Sequence, residues 1–167
     1  MVLDPNILSN ELSNLDGSDE ITVSNSFATA WVNYFSQSSI NGIIATPGSL
    51  ESAKSSMIAG LSGIINENNG IISIQSGILS FWSSIVASGV SIWITAPNVI
   101  VSIVPPVTLS SLSAALQSVV VSNTFLKLDT TTCFMNIANV LHVNAGIGSI
   151  VVLQPPGAAP PIPSTII

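Results

Sequence analysis

The chain has 167 residues, which is enough for one domain with a hydrophobic core but short for two. Hydrophobic residues make up 47% of the chain and charged residues 6%, against about 25% in a typical soluble domain. The formal net charge is −6, and Lys54 and Lys127 are the only cations. This composition argues against nucleic-acid binding and against docking on an anionic membrane, because both need clustered lysine or arginine.

The N-terminal segment carries half of the charged residues and contains a helix-start signal. Residues 6–15 show a short amphipathic pattern, and residues 16–19 read Asp-Gly-Ser-Asp, which is typical of a turn followed by a helix. We expect residues 1–18 to be an N-terminal arm and residues 19–153 to be a single helical domain. The first helix of that domain is predicted to run to about residue 38.

A second helix is predicted after the Thr-Pro-Gly-Ser break at residues 46–49. Ser49 is the expected N-cap, and Glu51 stands in the first turn, where the helix dipole favours an acid. Apolar residues at helical spacing continue to Ile65, and an Asn-rich turn at residues 66–70 ends the helix.

A third helix, predicted over residues 71–94, differs from an ordinary surface helix because it carries no charge. One face is apolar, and small hydroxyl residues replace the Lys and Glu expected on the other face. Such residues permit close approach between helices. We therefore predict an assembly face made of six serines: Ser73, Ser76, Ser80, Ser84, Ser88 and Ser91.

Three interpretations of this serine face remain open from the sequence. The helix could be central to its own domain with both faces covered, it could meet neighbouring subunits, or it could span a membrane. If it meets subunits, replacing Ser80, Ser84 or Ser88 with Leu should disturb oligomers without unfolding the monomer. If residues 71–95 span a membrane, the same changes should improve insertion.

The second half of the chain alternates between extended and helical patterns. Two β-rich segments, at about residues 99–104 and 149–153, are predicted to be short strands that pair with each other. Helical spacing recurs over residues 109–126 and 133–143, with an N-cap at Asp129. The tail, residues 154–167, holds five prolines and no charge, which is typical of a stiff C-terminal arm.

These segments together predict the fold class. We expect a mainly α protein, a four- to five-helix domain with two short β segments and extended termini.

The reactive side chains in the sequence do not indicate a catalytic site or a metal site. Cys133 and His142 lie nine residues apart on a predicted helix, which directs them to opposite sides. Glu51, Glu67 and Asp129 are far apart in sequence, and each has a structural explanation in a first turn, a turn or an N-cap. We therefore predict that the protein is not an enzyme and has no catalytic residue, cofactor or metal ligand.

Several short motifs resemble a group of viral proteins. Over about residues 50–155 the chain resembles small, charge-poor, Ser/Ala/Gly-rich helical proteins found among the structural genes of tailed bacteriophages. The motifs that carry the resemblance are Ala53-Lys54, Met57-Ile58-Ala59-Gly60-Leu61, Ile74-Gln75-Ser76-Gly77-Ile78, Phe81-Trp82, Pro105-Pro106 and Asn139-Val140-Leu141-His142. The resemblance implies a virion, tail or baseplate component and carries no catalytic residue.

The sequence thus leads to one hypothesis and one alternative. We expect a structural subunit that packs against copies of itself or against other structural proteins of a virion assembled in the host cytoplasm. The alternative is a small integral membrane protein with one span at about 71–95.

Overall fold

The computed structural model describes residues 3–15, 17, 19–40, 43–44, 50–66, 69–88, 99–157 and 159–167. Six α-helices, two small sheets, a 3-10 helix and a π-helical turn form this part of the chain. In chain order they are α1 (Pro5–Ser13), α2 (Glu20–Phe35), β1 (Ser39–Ile40), β2 (Ile43–Ile44), α3 (Glu51–Gly60), α4 (Gly70–Ser88), β3 (Val99–Val104), the 3-10 helix (Val107–Ser111), α5 (Leu112–Leu126), α6 (Thr130–Leu141), the π-helical turn (His142–Gly146), β4 (Ile150–Gln154) and β5 (Ile162–Thr165).

The predicted fold class, mainly α with short β segments, is confirmed. Two of the predicted helix starts have the expected caps. The Asp19 carboxylate accepts the Thr22 N–H at 3.0 Å, and the Asp129 carboxylate accepts the Thr132 N–H at the same distance. Each bond satisfies a donor that the first turn of a helix leaves free.

Helix α4 lies at the centre of the core because its large apolar residues meet α2. Phe81 and Trp82 contact Phe35 edge to face, with ring centroids 5.0 and 5.3 Å apart, and Trp31 also contacts Phe81. All four aromatic side chains are buried. Such pairs add about 0.5–1.5 kcal/mol each beyond the burial of their surface, so this cluster sets the position of α4.

A three-stranded antiparallel sheet in the order β3-β4-β5 covers another part of the core. The predicted pairing between the two β segments is confirmed, with Ile103 opposite Val151 and Val104 opposite Ile150. The register shifts between Ile100 and Ser102, which marks a bulge in β3. Val151 and Leu153 point into the core, as strand alternation requires.

The N-terminal arm predicted for residues 1–18 is wrong for the segment that forms α1. This helix begins with an Asp4 cap and packs against α2 and α6, with Leu8 and Leu12 fully or almost fully buried. Its apolar residues at i and i+4 share one face and are covered by neighbouring helices. The helix is therefore part of the domain and raises the number of α-helices in the described part of the chain to six.

The C-terminal arm predicted for residues 154–167 is also corrected. Strand β5 pairs with β4, and beyond it Ile166 is fully buried and donates its N–H to the Ser149 carbonyl at 3.3 Å. Ile167 and Ser39 then exchange two backbone hydrogen bonds. The tail is extended, as expected, but it is a strand of the sheet and not a free arm.

Several predicted boundaries shift or cannot be compared. Helix α3 ends at Gly60, earlier than predicted, because residues 61–65 form turns. Helix α4 is described to Ser88. The predicted break at residues 46–49, the Ser49 cap, Glu67 and the predicted end of the third helix at residue 94 lie outside the described residues.

Candidate assembly surface

Part of the serine face of α4 is an internal seam with α3 and the turn that follows it. The Ser73 side chain is buried, and its hydroxyl donates to the Ser62 carbonyl at 2.6 Å. Gly60 faces Gly77 so closely that a Cβ on Gly60 would lie 2.8 Å from the Gly77 Cα and 2.7 Å from the Ser80 hydroxyl. Small residues therefore let the two helices of one chain approach each other.

The other predicted face serines are distributed between the seam and solvent. Ser80, Ser84 and Ser88 are half-buried, and Ser76 is exposed. Ser91 lies outside the described residues. Because Ser80 lies against the Gly60 position inside the domain, Ser80→Leu is expected to affect the stability of the monomer as well as any oligomer.

The exposed face of α4 carries an apolar stripe that the sequence analysis did not single out. Ile72, Leu79 and Val86 are 61%, 44% and 46% exposed. They are seven residues apart, which keeps them on nearly the same face of a helix. The seven-residue spacing is present in the sequence, but it was not recognised because the opposite face of the helix is apolar as well.

A groove lies beside this stripe, between α4 and the residues that follow β3. Its volume is about 660 Å³. Most of its lining is apolar, and the polar lining residues are Gln75, Ser83 and Ser110. The apolar lining residues are Leu79, Trp82, Val86, Pro105, Pro106, Val107 and Leu109. The Gln75 amide donates to the Leu109 carbonyl at 3.2 Å, which holds the two walls together.

The end of α5 presents a second apolar feature, which we call the α5 knob: Val121, Phe125 and Leu126. These side chains are 56%, 83% and 61% exposed. Lys127 ends the helix in the left-handed conformation, with φ of 51°. Leu112 and Leu116, on the side of α5 opposite Val121 and Phe125, are buried and anchor the helix to the domain.

The reactive side chains lie apart, as the sequence spacing indicated. The Cys133 thiol lies at the start of α6, 3.6 Å from the Leu128 carbonyl. His142 follows the other end of α6, where its Nδ1 is 2.7 Å from the Tyr34 hydroxyl. Burial raises the pKa of Tyr34 and lowers the pKa of His142, so both side chains are held neutral.

The remaining ionisable groups form no cluster in the described part of the chain. No group of three His, Cys, Asp or Glu side chains with metal-binding geometry occurs there. The carboxylates with perturbed pKa values are Asp19 and Asp129, and in both the Thr three residues later lowers the pKa by hydrogen bonding. These two acids are helix caps.

Two helical segments are long and apolar enough to cross a membrane. They are Gly70–Ser88 and Val107–Leu126, and their most apolar windows are 33% and 22% buried. By length and composition alone this is weak evidence, because the core helix of a soluble protein passes the same test.

Comparison with known proteins identifies no relative: no family model, no curated protein and no solved structure matches the chain.

Proposed function

We propose that this protein is a non-enzymatic structural subunit that functions by packing its uncharged surface against other protein subunits. The particle that fits the sequence resemblance is a tailed-phage virion, with the subunit in the tail or baseplate. The partners are copies of the chain or other structural proteins of the same particle.

One observation carries this proposal: the exposed apolar residues are concentrated where the chain has no charge. No charged side chain occurs between Glu67 and Lys127. This stretch contributes the exposed side chains of the α4 stripe, the groove and the α5 knob, which are Ile72, Leu79, Val86, Val107, Val121, Phe125 and Leu126. Exposed apolar patches of this kind mark interaction sites in soluble proteins.

The charge distribution supports the same proposal. A freely diffusing chain keeps itself dispersed through charge spread over its surface. Here Asp4, Glu11, Asp19 and Glu20 belong to the first two helices and their caps, away in sequence from the uncharged stretch. The acidic part can face water while the uncharged part is covered by neighbours.

The absolute mass of the purified chain in detergent-free buffer, measured by light scattering behind a sizing column, tests this function. A defined oligomer supports a subunit that packs on copies of itself. A monomer that binds one partner in pull-downs from infected cells supports packing on other proteins. Recovery only in detergent, as a micelle-bound monomer, contradicts the proposal.

A membrane protein is the second candidate, and the two apolar helical segments favour it. Both Gly70–Ser88 and Val107–Leu126 meet the length and hydropathy requirements, although a single span at 71–95 was the sequence expectation. Against it, Ser76 and Ser83 would face lipid on the exposed side of α4. Flotation with liposomes separates the candidates, because a membrane protein floats with the lipid and an assembly subunit stays in the aqueous fraction.

A further inference from the structure

The last strand of the chain lies in a slot between two other strands. On one side β5 pairs with β4 over its whole length, and the ladder continues where the Ile166 N–H donates to the Ser149 carbonyl at 3.3 Å. On the other side Ile167 and Ser39 of β1 exchange two backbone hydrogen bonds of 2.7 and 3.1 Å. We call residues 162–167 the C-terminal strand and the space between β4 and β1 the slot.

The slot selects its occupant by backbone and by side chain. An extended segment satisfies the backbone groups of β4 and of Ser39 at once only when it lies between them. Ile166 is fully buried there, whereas Ile162 and Ile167 are 49% and 44% exposed. The segment that fits the slot is therefore the C-terminal strand itself, and a second copy of the chain also carries it.

The connection that precedes the C-terminal strand favours an extended path over the return that β5 makes. Residues 155–161 include four prolines, and proline-rich segments favour the extended polyproline conformation. The return instead turns at Gly157, with φ of 84°, and the Gln154 amide donates to the Ala159 carbonyl at 2.7 Å. At about 3.1 Å per residue, an extended connection spans about 22 Å, which carries the strand away from its own slot.

We propose that the C-terminal strand is exchanged between copies, so that the strand of one copy occupies the slot of a second copy. This inference rests on the proposed function and names the partner and the contact. The exchanged strand makes the same hydrogen bonds and buries the same Ile166 side chain, so association costs little in contacts. Reciprocal exchange gives a dimer, and exchange in one direction gives a ring or a filament.

The charge distribution is compatible with this contact. No charged side chain lies between Glu20 and Glu51, which covers the β1 side of the slot, and none follows Asp129, which covers the β4 side and the strand. Two copies, each with a net charge of −6, therefore meet there with less repulsion than through the acidic first two helices.

A disulfide between two singly substituted chains tests the exchange. Ile150 lies opposite Thr165 in the ladder, and both side chains are exposed. Cβ atoms of directly opposed residues are about 4.5–5.5 Å apart, which a disulfide bridges after a small adjustment. Ile150→Cys chains and Thr165→Cys chains, each also carrying Cys133→Ser so that one thiol remains, are produced together in one cell, purified and oxidised.

We expect a disulfide that joins one chain of each kind, identified by mass spectrometry. The two thiols stand opposite each other only when the strand of one copy lies in the slot of the other. Ser102→Cys replaces Ile150→Cys as the control, because Ser102 is exposed on β3 and lies opposite Val152. It should give at least about tenfold less of the mixed disulfide with Thr165→Cys, since it has no place in the β4–β5 ladder.

A chain that carries both Ile150→Cys and Thr165→Cys verifies that the opposed thiols react. If they do not, Gly157→Ala decides: alanine disfavours the closed turn, so the association constant should rise at least about fivefold, and no rise overturns the exchange. An oligomer by light scattering without the mixed disulfide overturns the exchange and leaves the assembly function standing. A monomer without it also overturns the exchange, and packing on other proteins is then tested by the pull-down.

Discussion

The hydroxyl of Tyr34 lies 2.7 Å from Nδ1 of His142, although 108 residues separate them in the sequence. The contact joins α2 to the turn after α6. Gly146 lies so close that a Cβ there would overlap the Tyr34 hydroxyl. In the same turn, the Ala145 carbonyl accepts the Trp82 indole N–H at 2.9 Å. The π-helical turn therefore packs against the side chains of Tyr34 and Trp82, which reach the core from α2 and α4.

The Tyr34–His142 contact is a hydrogen bond between a buried hydroxyl and a partly buried ring. Tyr34 is fully buried, and His142 is its only hydrogen-bond partner among the described residues. A neutral tyrosine that donates to Nδ1 satisfies its buried O–H group, and in that arrangement the histidine proton is on Nε2. Burial lowers the pKa of His142, while the more distant Asp4 carboxylate opposes this shift.

The first prediction is that stability falls between neutral and mildly acidic pH. Because the folded pKa of His142 lies below its ordinary value of 6.5, the unfolded chain takes up the proton first as pH decreases. The free energy of unfolding should be highest above about pH 6.5 and decrease as pH falls towards the folded pKa. Urea unfolding at a series of pH values measures this.

Two variants identify the group responsible. His142→Gln keeps an acceptor near Tyr34 and cannot titrate, so the decrease in this pH range should disappear. Tyr34→Phe should cost about 1 kcal/mol at neutral pH and retain a pH dependence. A decrease that persists in His142→Gln would assign it to other groups. The lowered pKa values of Asp19 and Asp129 act in a separate range, below about pH 3.8.

The second prediction concerns the α3–α4 seam. Ser80→Leu should destabilise the monomer by about 1–3 kcal/mol, because the added atoms meet Gly60 and the backbone of α3. Ser83→Leu, three residues further on and exposed, should change stability by less than about 0.5 kcal/mol. Thermal unfolding compares them, and equal losses in the two variants would contradict a tight seam.

The third prediction concerns the C-terminal strand. Ile166→Ala should cost about 2–5 kcal/mol, because this side chain is fully buried beyond β5. Ile162→Ala, within β5 and 49% exposed, serves as the matched control and should cost far less. Chemical denaturation distinguishes the variants. A tail that behaves as a free arm would make both substitutions neutral.

The fourth prediction is a gain in stability at Ser149. Its hydroxyl is fully buried and has no hydrogen-bond partner in the described structure. Ser149→Ala should therefore stabilise the fold by about 1 kcal/mol, since an unsatisfied buried polar group is removed. Ser102→Ala, at an exposed position of β3, is the control and should be nearly neutral. A loss of stability in Ser149→Ala would indicate that the hydroxyl is satisfied.

Local signals explain why the elements were predictable. Asp19 and Asp129 cap their helices because a carboxylate reaches the N–H three residues ahead, a contact that depends on neighbouring sequence alone. The two β segments were recognisable from their β-branched residues. Their pairing followed from the small number of strands available.

The prediction of which helix faces are exposed was less accurate, because exposure depends on which elements pack together. A serine stripe and an apolar stripe on α4 look equally suited to contact in the sequence. The structure buries Ser73 against Ser62 and leaves Ile72 61% exposed. The predicted assembly face therefore includes serines that lie in the seam with α3, whereas the exposed apolar stripe was not predicted.

By itself the sequence determined most of the helices, the pairing of two strands, the lack of charge between Glu67 and Lys127, and the absence of cation clusters for nucleic acid. Only the tertiary structure decided that α1 and β5 are built into the domain and that the apolar α4 stripe and the α5 knob remain exposed. Caps and periodicity act within a few residues of the chain, whereas burial depends on contacts between residues as distant as Ser39 and Ile167. Which apolar side chains remain exposed is settled when those distant segments pack.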